Sequence, residues 1–269
     1  MRRKNAIRLR NAPAWLSVAV VAAAVGFGTT AGAMADEGEA KALLKAMSDY
    51  LAGETTISFN FDSDLEVVTS DLQKLKFASS GTVSLTRPDK IRVTRTGGFA
   101  DVEMVFDGKQ LTVLGKNLSR YAQAEAPGTI DQLVDHLRVN LGVEAPGADL
   151  LLSNVYDQLM DAVVDVKDLG SGVVGGVECN HLAFRTTSVD WEIWIALGER
   201  PYPCRYVITS KLVAQAPEYR IQVSDWMTGS DVAADDFSFN NAGGATKADL
   251  SELHGVDELP DLAAEGGAQ

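Results

Sequence analysis

In Ile57-Ser58-Phe59-Asn60-Phe61-Asp62 the odd positions are apolar and the even ones polar, and Leu65 and Val67 continue the odd face. Successive side chains of a strand point to opposite faces, so this period of two describes a strand with one face on a core and the other in water. Half-wetted strands belong to antiparallel sheets, and that constrains the fold more than any other feature of the chain. Short runs of the same kind follow. Leu75 and Phe77 begin one, which continues through Val83 and Leu85 past Gly81, where a bulge or bend is expected. Ile91–Arg95 is the next, after a turn at Arg87-Pro88-Asp89-Lys90. Val102, Met104 and Phe106 alternate, Asp107-Gly108 signals a hairpin, and Leu111, Val113, Tyr121, Gln123 and Glu125 complete the run. Strands this short and this close in sequence form a meander, not βαβ units.

Three segments break the pattern with helical spacing. Residues 37–52 carry Leu43, Leu44, Met47, Tyr50 and Leu51, with Gly53 as a stop. Thr129 can cap a helix carrying Ile130, Leu133, Val134, Leu137 and Leu141, with Asp131 in its first turn. Leu151, Leu152, Val155, Leu159 and Met160 mark a third, over roughly 149–160. The last two are expected to lie as lids on one face of the sheet. Strands resume at 163–174, turn at Gly175-Gly176, and continue at 177–185, 191–195, 206–209 and 219–226, with a final short strand at Phe237 and Phe239. The expectation is mainly β with some α: about ten antiparallel strands and three helices.

The first 35 residues read as a cleavable leader. Arg2, Arg3, Lys4, Arg8 and Arg10 precede a 13-residue apolar stretch from Trp15 to Phe27, and Ala33-Met34-Ala35 forms a small-residue cleavage site before Asp36. Asn5 and Ala6 replace the bulky residues of a twin-arginine signal, so the general secretory route is expected. No Cys lies near the site to take a lipid anchor, and no transmembrane span is expected after cleavage. The expected domains are thus a leader at 1–35, one folded domain at 36–248 and an acidic, disordered tail at 249–269. The whole chain has 24 basic and 37 acidic residues. The leader's five charges are all basic, leaving 19 basic residues and a net charge of −18. Such a chain has no basic face with which to displace counterions from nucleic acid.

Few residues suggest chemistry. His181 stands two positions from Cys179, and a Cys-x-His pair on one strand face could hold half a zinc site or pair a nucleophile with its base. No second ligand cluster has metal spacing, and no phosphate loop, dinucleotide fingerprint or calcium loop occurs, so no metal, cofactor or catalytic residue is expected. In an exported protein Cys179 is better matched with Cys204. A strand at 191–195 between them would hold them about 9–10 Å apart, against the roughly 7 Å between Cα atoms that a disulfide tolerates. If both lie at strand ends, where the middle strand has already left the sheet, a bond can close, and the balance favours it. Trp191 and Trp194 point to opposite faces, either as core and surface or as a ligand wall. Asp62, Asp64 and Glu66 share a wet strand face, read as solvated rather than as a cation site or an acid/base pair.

The segments RPDKIRVTRTGGFADVEMVFDGKQLTVLGKN, YAQAEAPGTIDQLVDHL, GVVGGVECNHLAFRTTSVDWEIWIALGERPYPCRYVIT and DDFSF resemble a family of predicted periplasmic proteins of unknown function. That family is grouped by fold with the lipoprotein carriers LolA and LolB and with LppX and RseB, and the resemblance runs from about Ala40 to Asp249. It implies a half-open, strongly curved antiparallel barrel with helices plugging the concave side, in a periplasmic protein. In the carriers an acyl chain lodges between sheet and helices. By alternation, the matching wall here is Phe59, Phe61, Met104, Phe106 and Trp191, under Leu133, Val134 and Leu137. The expected function is non-catalytic, carrier-like binding of a lipid or other hydrophobic ligand. Two alternatives are kept: an RseB-like sensor that meets an envelope protein partner, and an enzyme using Cys179 and His181.

Overall fold

The structure, a computed structural model, describes residues 37–141, 145–250, 253 and 256. The leader lies outside the described residues, as does most of the expected tail. Of the tail residues described, Leu253 is buried, and the Val256 carbonyl accepts a hydrogen bond from Arg95 at 2.5 Å.

Helix α1 (Glu37–Gly53) buries Ala40, Leu44, Met47 and Leu51, a stripe at spacings of three and four. A first meander follows: β1 (Thr56–Val68), β2 (Lys74–Thr86), β3 (Lys90–Gly97), β4 (Asp101–Phe106), β5 (Gln110–Gly115) and β6 (Arg120–Glu125). Helix α2 (Ile130–Leu141), a 3₁₀ turn at Ala148–Leu151 and α3 (Val155–Met160) interrupt it. The second meander is β7 (Asp165–Val174), β8 (Val177–Arg185), β9 (Val189–Ala196), β10 (Pro203–Ser210) and β11 (Glu218–Thr228), before a short β12 (Thr246–Lys247). Strand β11 returns to pair with β1, so both meanders merge into one curved, unclosed sheet in the order β12-β6-β5-β4-β3-β2-β1-β11-β10-β9-β8-β7. Every pairing is antiparallel except that of β12 with β6.

Local chemistry explains the punctuation. Thr129 caps α2 as expected, in a reciprocal pair: the Gln132 N–H donates to Thr129 Oγ1 and the Thr129 N–H to Gln132 Oε1. Asp107 Oδ1 accepts the N–H groups of Lys109 and Gln110 and closes the β4–β5 hairpin beside Gly108 at φ 91°. Gly175 and Gly176 both have positive φ, which the two-residue turn between β7 and β8 requires.

Two expectations change. Phe237 and Phe239 form no strand. Asp235 and Asp236 accept hydrogen bonds from the N–H groups two residues ahead, and these successive Asx turns use up the donors a ladder would need. The last strand is instead Thr246–Lys247, which has no apolar alternation. Gly81 is not a bulge, since β1 and β2 pair without a register shift from Thr56↔Thr86 to Val68↔Lys74. It is a point of close approach. A Cβ there would stand 2.0 Å from the Thr94 carbonyl oxygen and 2.6 Å from Phe61 Cζ, because the Phe61 ring lies across it.

The core sits on one face of the sheet, beneath the helices. Ile57, Phe59, Phe61, Val83, Leu85, Ile91, Phe106 and Leu111 from the first meander join Val166, Leu182, Phe184, Trp191, Ile193 and Tyr206 from the second. We expect Gly81→Ala to cost about 1–3 kcal/mol, the range for overpacking a filled interior. Guanidinium unfolding measures it, and a change within about 0.5 kcal/mol would contradict the close approach.

Candidate functional site

The eight residues expected to line a ligand wall are brought together. Phe59, Phe61, Phe106, Leu133, Val134 and Trp191 are buried in one cluster, and Met104 and Leu137 pack against its margin. Alternation puts the strand residues on the concave face, and helical spacing turns Leu133, Val134 and Leu137 down onto them. Aromatic contacts lock the layers. Phe59 stacks on Trp226 at 5.3 Å, and the Trp226 indole N–H donates to the Tyr50 hydroxyl of α1 at 3.1 Å. Trp191 lies between Phe184, stacked at 3.9 Å, and the edge of Tyr206 at 5.8 Å. Burial pushes the Tyr206 hydroxyl far above its ordinary pKa.

A cavity of about 470 Å³ opens beside this cluster, at the seam between helices and sheet. Arg138 of α2 and the loop residues Ala145 and Pro146 form one wall. Leu65, Ile208 and Tyr219 form the other, with Glu66, Ser210, Pro217 and Glu218 around them. Ile208 and Tyr219 also pack on the main core, so the cavity and the core share a wall. Polar ties hold the helical layer here. Arg87 Nη1 and Nη2 donate to the Leu151 and Leu152 carbonyls at 3.0 and 3.3 Å. Arg138 pairs with Asp149 at 2.7 Å, and the Ser153 N–H donates to Asp131. Burial lowers the Arg87 pKa, and the Asp131 carboxylate opposes that shift.

The eight predicted residues do not line this cavity; it is built by neighbours from four elements. Alternation does place Leu65 on the same strand face as Phe59 and Phe61. Nothing local in the sequence brings Arg138 and Pro146 opposite Ile208 and Tyr219.

Cys179 and Cys204 are both buried, unbonded in this structure, with sulfurs 2.8 Å apart. Sheet geometry shows how they meet around β9. Cys179 pairs with Ala196, the last residue of that strand, and the β9–β10 register shifts between Pro203 and Arg205, so Cys204 is the irregular residue that turns towards its partner. Val174 and Ala196 seal the pair in a second small cluster. Burial raises both thiol pKa values, which opposes formation of a nucleophilic thiolate. His181 does not face a thiol. Its ring stacks on Trp194 at 4.0 Å, and Nε2 meets Glu192 Oε2 at 2.7 Å. Arg205 covers Trp194 at 5.4 Å. The strand-face carboxylates each have partners: Asp62 accepts from Ser80, Asp64 pairs with Arg220, and Glu66 with Lys74 and Lys76. Among the described residues no three His, Cys, Asp or Glu converge to hold a metal ion.

Residues 40–251 match the model of the DUF2092 family, described as predicted periplasmic protein. The chain belongs to this family. No curated protein matches this chain. Among solved structures it is similar to the Mycobacterium tuberculosis lipoprotein LppX, at 13% identity over 74% of this chain and 100% of that one, with a TM-score of 0.38. A second is a domain from Vibrio parahaemolyticus described as an outer membrane lipoprotein-sorting protein, at 8% identity over 75% and 97%, TM-score 0.34. A third is MucB in the Pseudomonas aeruginosa MucA/MucB complex, at 13% identity over 75% and 61%, TM-score 0.43. The family match bears out the sequence resemblance, and the curved, unclosed antiparallel sheet is the fold that the resemblance implied. No helix among the described residues is long and apolar enough to cross a membrane.

The expected disulfide would close a loop between residues 25 apart in sequence, a constraint worth about 3 kcal/mol in the chain-entropy account. Protein isolated from the envelope and unfolded without reductant should take up no iodoacetamide, and both cysteines should be labelled after reduction. Two adducts without reductant would show free thiols, and fast labelling of native Cys179 at neutral pH would return attention to catalysis.

Proposed function

We propose that the protein is a periplasmic, non-catalytic binding protein for a hydrophobic ligand, a lipid or acyl chain, held between the curved sheet and its helices. On this reading residues 1–35 are removed on export. The supporting observation is the cavity at the sheet–helix seam, which abuts an aromatic and aliphatic interior. Its volume of about 470 Å³ falls within the usual range of small-molecule sites, about 300–1,000 Å³. A chain entering between Pro146 and Ile208 meets Tyr219 and then the core. The core residues Phe61, Leu133, Val134 and Leu137 are the surfaces it would reach if the helical layer lifted. The Arg87 hydrogen bonds to the Leu151 and Leu152 carbonyls join the sheet to that layer and are contacts such a movement has to break.

The alternative, a protein-interaction module without lipid cargo, has one observation of its own. The edge strand β7 borders exposed Val164 and carries exposed Leu169 and Val173. An open strand edge is a template for an added strand.

Titration with a fluorescent fatty acid separates the two readings. The mature protein should bind the probe with about 1:1 stoichiometry, and Ala145→Trp, which places an indole in the cavity mouth, should weaken binding at least tenfold with unchanged melting. Absence of saturable binding, or equal binding by a folded Ala145→Trp variant, would remove the acyl-chain reading and leave the strand edge as the place to look for a partner.

A further inference from the structure

Five strand turns lie along one end of the sheet. They join β1 to β2 at 69–73, β3 to β4 at 97–100, β5 to β6 at 116–119, β8 to β9 at 186–188 and β10 to β11 at 210–217. Pairing brings the two meanders to the same end, since Leu65, close to the first of these turns, lies opposite Tyr219, close to the last. Four of the five turns hold large apolar side chains in water. Leu72, Phe99 and Val213 are about half exposed, and Leu118 and Leu212 are 37% and 79% exposed. Among the described residues, the turns at the opposite end, 87–89, 107–109, 175–176 and 197–202, expose one such side chain, Leu197. Leu72 also holds a positive φ of 68°, a backbone state that Gly or Asn adopts with less strain. Neither burial nor backbone preference accounts for a leucine there. Two ties hold neighbouring turns together: Lys211 Nζ donates to the Thr186 carbonyl at 2.6 Å, and Asn117 Nδ2 to the Phe99 carbonyl at 3.0 Å.

Charge separates this end from the rest of the molecule. In a chain of 37 acidic and 24 basic residues, the five turns hold one acid, Asp71, against Lys116 and Lys211. Lys211 pairs with Asp190 at 3.2 Å and Lys116 lies 3.6 Å from Glu103, so the row is close to neutral. An acidic protein meets least repulsion from an anionic lipid surface when it approaches by its acid-poor end. Spacing points the same way. The four turns with apolar tips succeed one another every two strands, about 10 Å apart, and run about 30 Å along the sheet. Single apolar side chains spread this widely suit a soft, continuous surface better than a peptide, whose contacts need adjoining pockets. The seam cavity borders the row: Ser210 and Pro217 of its lining are the two ends of the β10–β11 turn, and Leu65 and Glu66 stand just before the β1–β2 turn. We propose that this end of the sheet docks on a lipid bilayer, with Leu72, Phe99, Leu118, Leu212 and Val213 set into the interfacial layer. The docking stands on the row of turns alone; passage of an acyl chain between bilayer and cavity rests on the ligand reading above.

Flotation of the mature protein with vesicles of phosphatidylethanolamine and phosphatidylglycerol, roughly 3:1, tests this. The protein should float with the vesicles. The double variant Leu72→Asn, Leu212→Ser should lower the partition coefficient at least tenfold with unchanged melting, because both side chains are exposed and Asn suits the positive φ. Leu197→Ser, at the opposite end, should stay within about twofold of the parent. Vesicles should also slow hydrogen exchange of the amides at 69–73, 97–100, 116–119 and 210–217 and leave those at 87–89, 107–109 and 197–202 unchanged. Absence of flotation, undiminished binding by the double variant, an equal loss in Leu197→Ser, or protection at the opposite end would each overturn the proposal. A protein that floats but takes up no fatty acid loses the ligand reading and keeps the docking; one that binds fatty acid but does not float loses the docking alone.

Discussion

The antiparallel pairing of β1 with β11 holds the molecule together. It runs from Ile57↔Thr228 to Leu65↔Tyr219 and joins residues more than 150 positions apart. Each meander alone is a set of local hairpins with one apolar face. Only when β11 lies beside β1 do Phe59 and Phe61 come onto the same concave face as Ile221 and Val223, so that one helical layer can cover both halves. Bringing such distant segments together costs loop-closure entropy that local hairpins do not pay. The shared core that forms under α1 and α2 offsets it. The seam cavity lies along this junction, since Leu65 comes from β1, Tyr219 from its partner β11 and Ile208 from the next strand. The position of the proposed site is thus a consequence of how the two meanders join into one sheet.

The opposite face works differently. Charge and aromatic ladders run across the strands there: His181, Trp194, Arg205 and Gln222 in one row, Arg220 with Asp64 in another. The segment after β11 crosses to the far edge, fixed by Arg92 to Asp235 at 2.6 Å and by Phe239 against Tyr121 at 4.9 Å, before β12 pairs with β6. An unclosed sheet leaves two edges to protect. One is covered by this strap. The other, β7, carries a register shift against β8 between Asp168 and Ser171.

Much of this was legible in the sequence because its signals are local. The period of two in β1 and β9, the Asp-Gly and Gly-Gly turns and the Thr129 cap each report on a few neighbouring residues, and each appears in the structure. What was not legible depends on contacts distant in sequence. Gly81 reads as a break until the Phe61 ring is seen lying on it. Phe237 and Phe239 mimic strand alternation, but the preceding aspartates take the backbone donors of Phe237 and Ser238. Thr246–Lys247 pairs with β6 without any apolar pattern. The approach of Cys179 to Cys204 was legible as a condition, that the middle strand leaves the sheet, and β9 does end at Ala196; the irregularity at Cys204 was not. The eight wall residues expected from alternation do converge, yet the open space lies beside them, lined from four elements whose proximity no short window encodes.

Native mass spectrometry of the mature protein purified from its own envelope tests the central claim most directly. The account predicts a population whose excess mass corresponds to one lipid or fatty acid per chain, recovered by organic extraction and released when the protein unfolds. A single apo mass that does not change on challenge with envelope lipids would contradict it.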